Sequence, residues 1–295
     1  MTRTTTRLRE LIARPGALMA PGVADALNAR LVKRHGFEAI YMTGAGTTAV
    51  RLGMPDVGLL TMTEMIDNAA RIADASGLPL IADADNGYGG VLNVRRTIQG
   101  YERAGAAGVH LEDQVIPKRC GHLAGKQLVP VEEMTAKLRA AADARSDKDF
   151  VLIARTDAIA VEGFDAALER AGRYREAGAD VLFVEAPNAE QLPKIAPRLK
   201  APLLYNMATS GKTPFLPKGE IERLGFKIII YPNWLMLAAI RAASEVLATL
   251  KETGSIASVA SGVPSFKEFF DLLGMPEVQD LEARYGVEEN ARAKY

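Results

Sequence analysis

Cys120, the only cysteine of the chain, stands in Pro117-Lys118-Arg119-Cys120-Gly121-His122, shortly after the apolar run that ends in His110-Leu111-Glu112-Asp113-Gln114. A thiol titrates at about 8.5 when unperturbed, and cationic neighbours such as Lys118, Arg119 and His122 lower it toward working pH, which is what proton transfer needs. A loop this polar and glycine-rich does not read as core, so Cys120 is the candidate general acid, with Arg119 and His122 as its partners. Asp83, Asp85 and Glu112 lie at the ends of two apolar runs. Three carboxylates sharing one small volume repel each other and lose hydration, so their full ionisation demands a cation. Oxygen-only donors suit a hard divalent ion, Mg2+ or Mn2+, which binds through few carboxylates and keeps several waters. The competing reading pairs these acids with Arg155, Lys118 or Arg119 as structural ion pairs, and Asp113 and Asp157 fit that reading equally well.

Groups so far apart in sequence must be brought together by regular elements. Eight short apolar runs alternate with longer helix-patterned segments: Ala17–Val23, Ala39–Thr43, Pro79–Asp85, Gly108–Asp113, Phe150–Asp157, Val181–Glu185, Pro202–Asn206 and Ile228–Tyr231. Most are nearly unbroken Val, Ile and Leu, as strands covered on both faces require. Intervening segments rich in Ala, Arg and Glu often stop at glycine, as at Gly105, Gly178 and Gly225. Eight such units predict a (β/α)8 TIM barrel, with an open doubly wound sheet as the alternative. In a barrel, reacting groups sit where strands end. Thr43, Asp83, Asp85, Glu112, Arg155, Glu185 and Asn206 all stand at such ends, so one mouth should gather them. His110, inside a run, reads either as a site residue or as a core histidine, and His35 beside Gly36 as a helix terminator.

The chain has 295 residues, 48% hydrophobic and 24% charged, enough to bury a large core. Lys plus Arg equals Asp plus Glu at 36 each, so no global field draws it to nucleic acid or an anionic membrane. Any partner must therefore be recognised locally. Met1–Arg14 is basic and threonine-rich without an apolar signal core, which argues against secretion but leaves an organellar transit peptide open. The lone cysteine agrees with a cytoplasmic location. Ile228–Ala243, interrupted by Pro232 and Asn233, is too short on either side to span a bilayer. Residues 1–295 read as one barrel domain, with 254–295 a helical extension whose Val263–Gly274 segment forms an amphipathic helix in need of a partner surface.

Tyr41-Met42-Thr43-Gly44-Ala45-Gly46, Ala82-Asp83-Ala84-Asp85-Asn86-Gly87-Tyr88-Gly89, His110–Gln114, Lys118–His122 and Ala154–Asp157 resemble the isocitrate lyase and phosphoenolpyruvate mutase superfamily over nearly the whole chain. The Lys-Arg-Cys-Gly-His loop, continued by Ala124-Gly125-Lys126, is most similar to the 2-methylisocitrate and alkylmalate lyase branch, and it disfavours a phosphonomutase. The resemblance implies that Asp85 contacts Mg2+ while Asp56, Asp83 and Glu112 hold its waters or orient its shell. It implies that Thr43-Gly44-Ala45 cradles a substrate carboxylate, as closely approaching backbone amides can, and that Arg155 clamps another with its planar fork. Tyr41, Gly121, Glu185 and Asn206 complete the candidate substrate contacts. It further implies a last barrel helix exchanged between neighbouring subunits, in a homotetramer.

The reaction these groups suit is retro-Claisen cleavage of a 2-hydroxy di- or tricarboxylate to an α-keto acid such as pyruvate, with Cys120 protonating the second, carbanionic fragment. The loop 117–128 is expected to close over substrate and exclude water. An oxaloacetate hydrolase or decarboxylase shares every motif, and a non-catalytic binding scaffold is the reading outside enzymology. Thr209 stands where methylisocitrate and petal-death-type lyases tend to carry glutamate. Trp234 reads equally as a pocket wall or as core, so the substrate's alkyl group stays open.

Overall fold

The computed structural model describes residues 2–121, 125–210 and 212–294. The strands β1 (Leu18–Val23), β2 (Ile40–Met42), β3 (Leu80–Asp83), β4 (Gly108–Glu112), β5 (Val151–Thr156), β6 (Val181–Val184), β7 (Leu204–Asn206) and β8 (Ile228–Tyr231) fall on the eight apolar runs. They pair in parallel in the order β6-β5-β4-β3-β2-β1-β8-β7. A bridge between Leu182 and Leu203 joins the two ends of that order, so the sheet is a nearly closed (β/α)8 barrel and the open-sheet alternative falls away. Helices α1 (Thr4–Ala13), α2 (Ala26–Arg34), α3 (Gly44–Leu52), α4 (Met62–Ser76), α5 (Val91–Arg103), α6 (Val131–Ala144), α7 (Phe164–Glu176), α8 (Leu192–Leu199) and α9 (Lys218–Arg223) accompany these strands. Polar side chains start several of them: Asp25 caps α2 and Thr43 caps α3, while Thr61 and Glu64 close a capping box on α4.

α1 lies across the N-terminal ends of the strands. Its Leu8, Leu11 and Ile12 join Leu18, Ala20, Ile81, Ile153, Phe183 and Ile230 in one buried cluster, each full leucine burial contributing about 2 kcal/mol. Arg9 fixes the helix through hydrogen bonds to the Asp149 carbonyl at 2.9 Å and Asp180 Oδ1 at 3.1 Å. An apolar plug at this end leaves the opposite end available for charge. Chain approach is tightest where β1 meets the segment after β8: a Cβ on Gly22 would lie 2.1 Å from the Pro232 carbonyl oxygen.

Beneath the charged end, Asp113 accepts hydrogen bonds from Thr156 Oγ1 at 2.7 Å, Tyr174 Oη at 2.8 Å and the Asp157 amide at 3.0 Å. Asp157 in turn accepts from Arg155 Nε at 2.9 Å and Lys126 Nζ at 2.7 Å. Burial works against ionised Asp157, but Arg155 and Lys126 outweigh it and hold its pKa down at about 2.

The chain divides after Trp234 into two compact units, and the second comprises Leu235–Tyr295. α10 (Trp234–Thr253), α11 (Phe266–Leu273) and α12 (Met275–Arg284) bury none of their residues. The expected amphipathic helix is α11, opened by a Ser265–Glu268 capping box and ended by Gly274 at φ 91°. Leu237, Ile240, Leu247, Phe266 and Phe269 are all exposed. No helix among the described residues is long and apolar enough to cross a membrane.

Gly22→Ala drives a methyl group into backbone and should cost about 3 kcal/mol, the upper end for overpacking; a urea midpoint equal to wild type's would show that the strand yields. For Asp157, a folded pKa of about 2 against the ordinary 3.8 means stability that is present above about pH 4 and lost as pH falls through about 2, worth about 2 kcal/mol. Urea titrations of wild type and Asp157→Asn should therefore differ by a constant amount near neutrality and converge in acid. A gap independent of pH would sink the assignment.

Candidate active site

Strand register assembles the charged end. β3 places Asp83 opposite His110 of β4, and β4 places Glu112 opposite Arg155 of β5. Arg155 itself pairs with Phe183 of β6, whose ring lies 5.1 Å from its guanidinium carbon. The lining of one cavity of about 40 Å3 includes Tyr41, Thr43, Ala45, Asp56, Asp83, Glu112, Lys118, Cys120, Gly121, Arg155 and Asn206, together with Asn233. A larger cavity of about 700 Å3, between α1 and the start of β5 and β6, holds none of the candidate groups. Chemistry rather than size picks out the site.

Asp83 is held on both oxygens: Oδ1 accepts the Asp85 amide at 2.9 Å and Oδ2 accepts the Gly44 amide at 3.1 Å. Burial pushes its pKa up, but His110, Lys118, Arg155 and the Asp85 amide together bring it below the usual value. Asp85 sits in the left-handed region at φ 46°, a conformation that aspartate tolerates better than most residues and that turns its carboxylate toward Lys118. Burial first, then Asp83 and Asp56, raise its pKa to about 6 against the pull of Lys118. Glu112 is raised well above its ordinary value by burial, which Arg155 and Lys118 offset only in part.

Lys118 is buried among these acids. Its Nζ lies 2.7 Å from both oxygens of Asp56 and 2.6 Å from Asp85 Oδ1. Asp85 Oδ1 is therefore ion-paired, whereas Glu112 Oε1 is a buried acceptor without a hydrogen bond. The unpartnered Glu112 oxygen, with Asp85 and Glu112 both raised in pKa by burial, marks a donor set short of cationic charge, and only oxygen is offered. That fits a hard dication. Among the described residues no three Asp, Glu, His or Cys side chains stand close enough to clasp an ion unaided, so such an ion would complete its shell with water.

The cysteine loop is pinched at its base, where Gln114 bridges Leu128 and the Val115 amide donates to the Gln127 carbonyl at 3.0 Å. Gln114 fastens the Arg119 backbone from both sides, at 2.8 and 3.0 Å. The Cys120 amide donates to the Asp56 carbonyl at 3.2 Å, and Lys126 Nζ donates to the Gly121 carbonyl at 2.6 Å. Gly121 admits no side chain, because a Cβ there would lie 2.1 Å from Arg155 Nη2 and 3.1 Å from Glu185 Oε1. Cys120 is half-buried and faces the same cavity as Asp56, Asp83 and Glu112.

The remaining candidates differ in where they stand. Asn206 donates to both oxygens of Glu185, at 3.3 and 3.2 Å, and its own Oδ1 is buried without a hydrogen bond. Of the amides in the Thr43–Gly46 turn, that of Gly44 is taken by Asp83 and that of Gly46 by Thr43 Oγ1, so part of this cradle already serves the protein. Lys118 points to Asp56 and Asp85, and the Arg119 guanidinium packs over Gly125, where a Cβ would lie 2.6 Å from Nη1. His122 lies outside the described residues. His110 is fully buried, with Nε2 2.8 Å from Tyr41 Oη and 3.5 Å from Asp83 Oδ1, and burial lowers its pKa. Trp234 donates to the Met207 carbonyl at 2.8 Å and packs edge-on against Phe215, while Thr209 is exposed. Sequence reasoning overlooked Asn233, which accepts from Thr43 Oγ1 at 3.1 Å. Its signal was present: it lies two residues past the β8 end, where the second to seventh strands each offer a polar group.

Comparison with known proteins agrees with this geometry. The phosphoenolpyruvate phosphomutase family model matches residues 8–251. The chain is 45% identical to 2,3-dimethylmalate lyase of Eubacterium barkeri, over 96% of this chain and 98% of that one. It is 43% identical to 2-methylisocitrate lyase of Aeropyrum pernix, over 94% and 89%. Among solved structures, 2,3-dimethylmalate lyase superposes with TM-score 0.94 at 38% identity over the full length of both chains. Oxaloacetate acetylhydrolase bound to 3,3-difluorooxalacetate gives 0.92 at 38% over 97% and 98%. Phosphonopyruvate hydrolase complexed with oxalate and Mg2+ gives 0.88 at 32% over 96% and 99%. With its barrel, its acidic strand ends and these matches along almost its whole length, the chain belongs to the phosphoenolpyruvate mutase/isocitrate lyase superfamily.

Proposed function

We propose that the chain is a Mg2+-dependent carbon–carbon lyase that cleaves an alkylmalate- or methylisocitrate-type 2-hydroxy acid to an α-keto acid, such as pyruvate, and a second carboxylate. Mn2+ is the alternative metal. The observation that carries the reading is the sharing of one cavity wall by the Cys120 loop, the acids Asp56, Asp83 and Glu112, and Arg155. Similarity to named lyases at 43–45% identity supports it.

Asp85, with Asp56, Asp83 and Glu112 around it, would hold a divalent ion whose chemistry is Lewis-acid polarisation of the substrate's 2-oxygen and adjacent carboxylate. Arg155 has the planar fork for a carboxylate and is kept rigid by Asp157 on one side and Phe183 on the other. Thr43 and Ala45, with Tyr41, Gly121, Glu185 and Asn206, bound the rest of the substrate. In the cleavage the 2-hydroxyl gives its proton to solvent, the C2–C3 bond breaks as C2 becomes the keto carbon, and the departing carbanion takes a proton from the Cys120 thiol, leaving a thiolate that solvent reprotonates after product release. Arg119 and His122 flank that thiol in sequence and complete its setting. The loop pinched at Gln114 and Leu128 keeps water from the carbanion.

A second reading, hydrolysis of oxaloacetate to oxalate and acetate, is favoured by the equal 38% identity to oxaloacetate acetylhydrolase. Product identity separates the two. We place the enzyme in the cytoplasm, where a single thiol stays reduced. The exposed apolar side chains of α10 and α11 support assembly into a homotetramer with exchange of the last barrel helix.

A panel of substituted malates, 2-methylisocitrate and oxaloacetate, assayed with Mg2+, should yield an α-keto acid from one of the hydroxy acids. Cys120→Ala should lower that turnover roughly 10²–10⁴-fold, the span of a general acid; full activity in the variant removes the thiol from the chemistry, and oxalate as product selects the hydrolase. Light scattering on the eluting protein should return four chain masses, and a monomer at micromolar concentration would exclude the assembly.

A further inference from the structure

Arg170, on α7, is a buried cation that takes no part in the cavity wall. Its Nε and Nη2 donate to the two oxygens of Glu162, at 2.7 and 2.5 Å, and its Nη1 donates to the Val129 carbonyl at 3.0 Å and to Tyr174 Oη at 3.1 Å. Nη1 also stands 3.5 Å from Asp113 Oδ2, and among the described residues no other cation comes within ion-pair distance of that carboxylate. Asp113 is wholly buried and accepts from the Asp157 amide and the Thr156 hydroxyl, so it fixes the segment that ends β5. Asp157 in turn grips Arg155 on Nε and Nη2, at 2.9 and 3.1 Å. One line of contacts thus runs from Glu162 at the surface through Arg170, Asp113 and Asp157 to Arg155, and of these five only Arg155 reaches the cavity.

We infer that Arg170 is a positioning residue for the substrate: by neutralising Asp113 it fixes Asp157, and through Asp157 it aims the Arg155 fork at a substrate carboxylate. The inference rests on the proposed role of Arg155 as a carboxylate clamp. Without the Arg170 charge, Asp113 is a buried anion with no counter-ion, bonded to the backbone of a second buried anion, Asp157. Repulsion then drives the two carboxylates apart, and the guanidinium that Asp157 holds turns with it. A planar fork matches two carboxylate oxygens in one orientation only, so a small turn lowers the affinity for the acid.

The test uses the full-length protein with Mg2+ present and oxalate as the carboxylate probe, titrated by calorimetry. Arg170→Met keeps an apolar stem and removes the charge; it should weaken oxalate binding about tenfold, the scale of a slight misplacement. Arg170→Lys returns the charge without the fork and should recover part of that loss. Glu162→Gln loosens Arg170 from the surface, leaves the core intact, and should weaken oxalate severalfold. Arg155→Lys is the reference for the clamp itself. A merely structural fault lowers the number of binding sites per chain and leaves the dissociation constant of the remaining sites unmoved. Oxalate affinity equal to wild type's in the Arg170 and Glu162 variants, with Arg155→Lys weakened, overturns the positioning role and leaves the clamp intact. Equal losses in Arg170→Met and Arg170→Lys point to packing rather than charge and overturn it as well. Oxalate binding that Arg155→Lys leaves unchanged, or that wild type lacks, overturns the clamp and the inference with it.

Discussion

Crowding of carboxylates into a low-dielectric end of the barrel is the constraint that organises this molecule. Asp56, Asp83, Asp85, Glu112, Asp157 and Glu185 are all nearly inaccessible. Buried anions are tolerable only where cations or several hydrogen bonds meet them. Among the described residues Arg155, Lys118 and Lys126 are buried beside these acids, and each is drawn deep by the acids it serves. The same logic fixes backbone. Gly44 lacks a side chain where a Cβ would lie 2.5 Å from Asp83 Oδ2, and Gly121 lacks one over Arg155. Side-chain charge therefore dictates where the main chain must pass closely.

The division of labour along the barrel follows. α1 seals the N-terminal end with Leu8 and Leu11, and β-strand interiors supply Ile and Val between the two ends. Stability is concentrated away from the electrostatic conflict at the opposite mouth. Asp113 and Tyr174 connect the layers: neither reaches the cavity, yet their hydrogen bonds hold Thr156 and Asp157, and Asp157 holds Arg155. A planar guanidinium gains specificity only when it cannot rotate away.

Much of this was legible from residues alone, for definite reasons. Strands buried on both faces leave unbroken Val/Ile/Leu runs, so all eight stood out, and barrel geometry then carried Asp83, Glu112 and Arg155 to one end. Side-chain destinations were harder. Lys118 is two residues from Cys120 and was read chiefly as a tuner of the thiol, yet its long stem reaches Asp56 and Asp85. Buried, unscreened carboxylates attract an ammonium more strongly than a neighbouring thiol does. Nor does spacing reveal that the Gly44 amide is spent on Asp83, since that bond joins the ends of different strands. Helix patterning identified α11 but not that Leu235–Tyr295 separates as its own unit. Periodicity reports an apolar face without saying which surface covers it.

The pinch at Gln114 and Leu128 has an evolutionary corollary. Because two bridging residues fasten the excursion to the frame, a change of side chain within it need not shift the register of β4 or β5, so long as Lys126 still meets Asp157 and the Cys120 amide still meets Asp56. The fold thereby offers a replaceable cartridge. New reactions can be explored by rewriting one insert while the inherited scaffold goes on presenting the same acids.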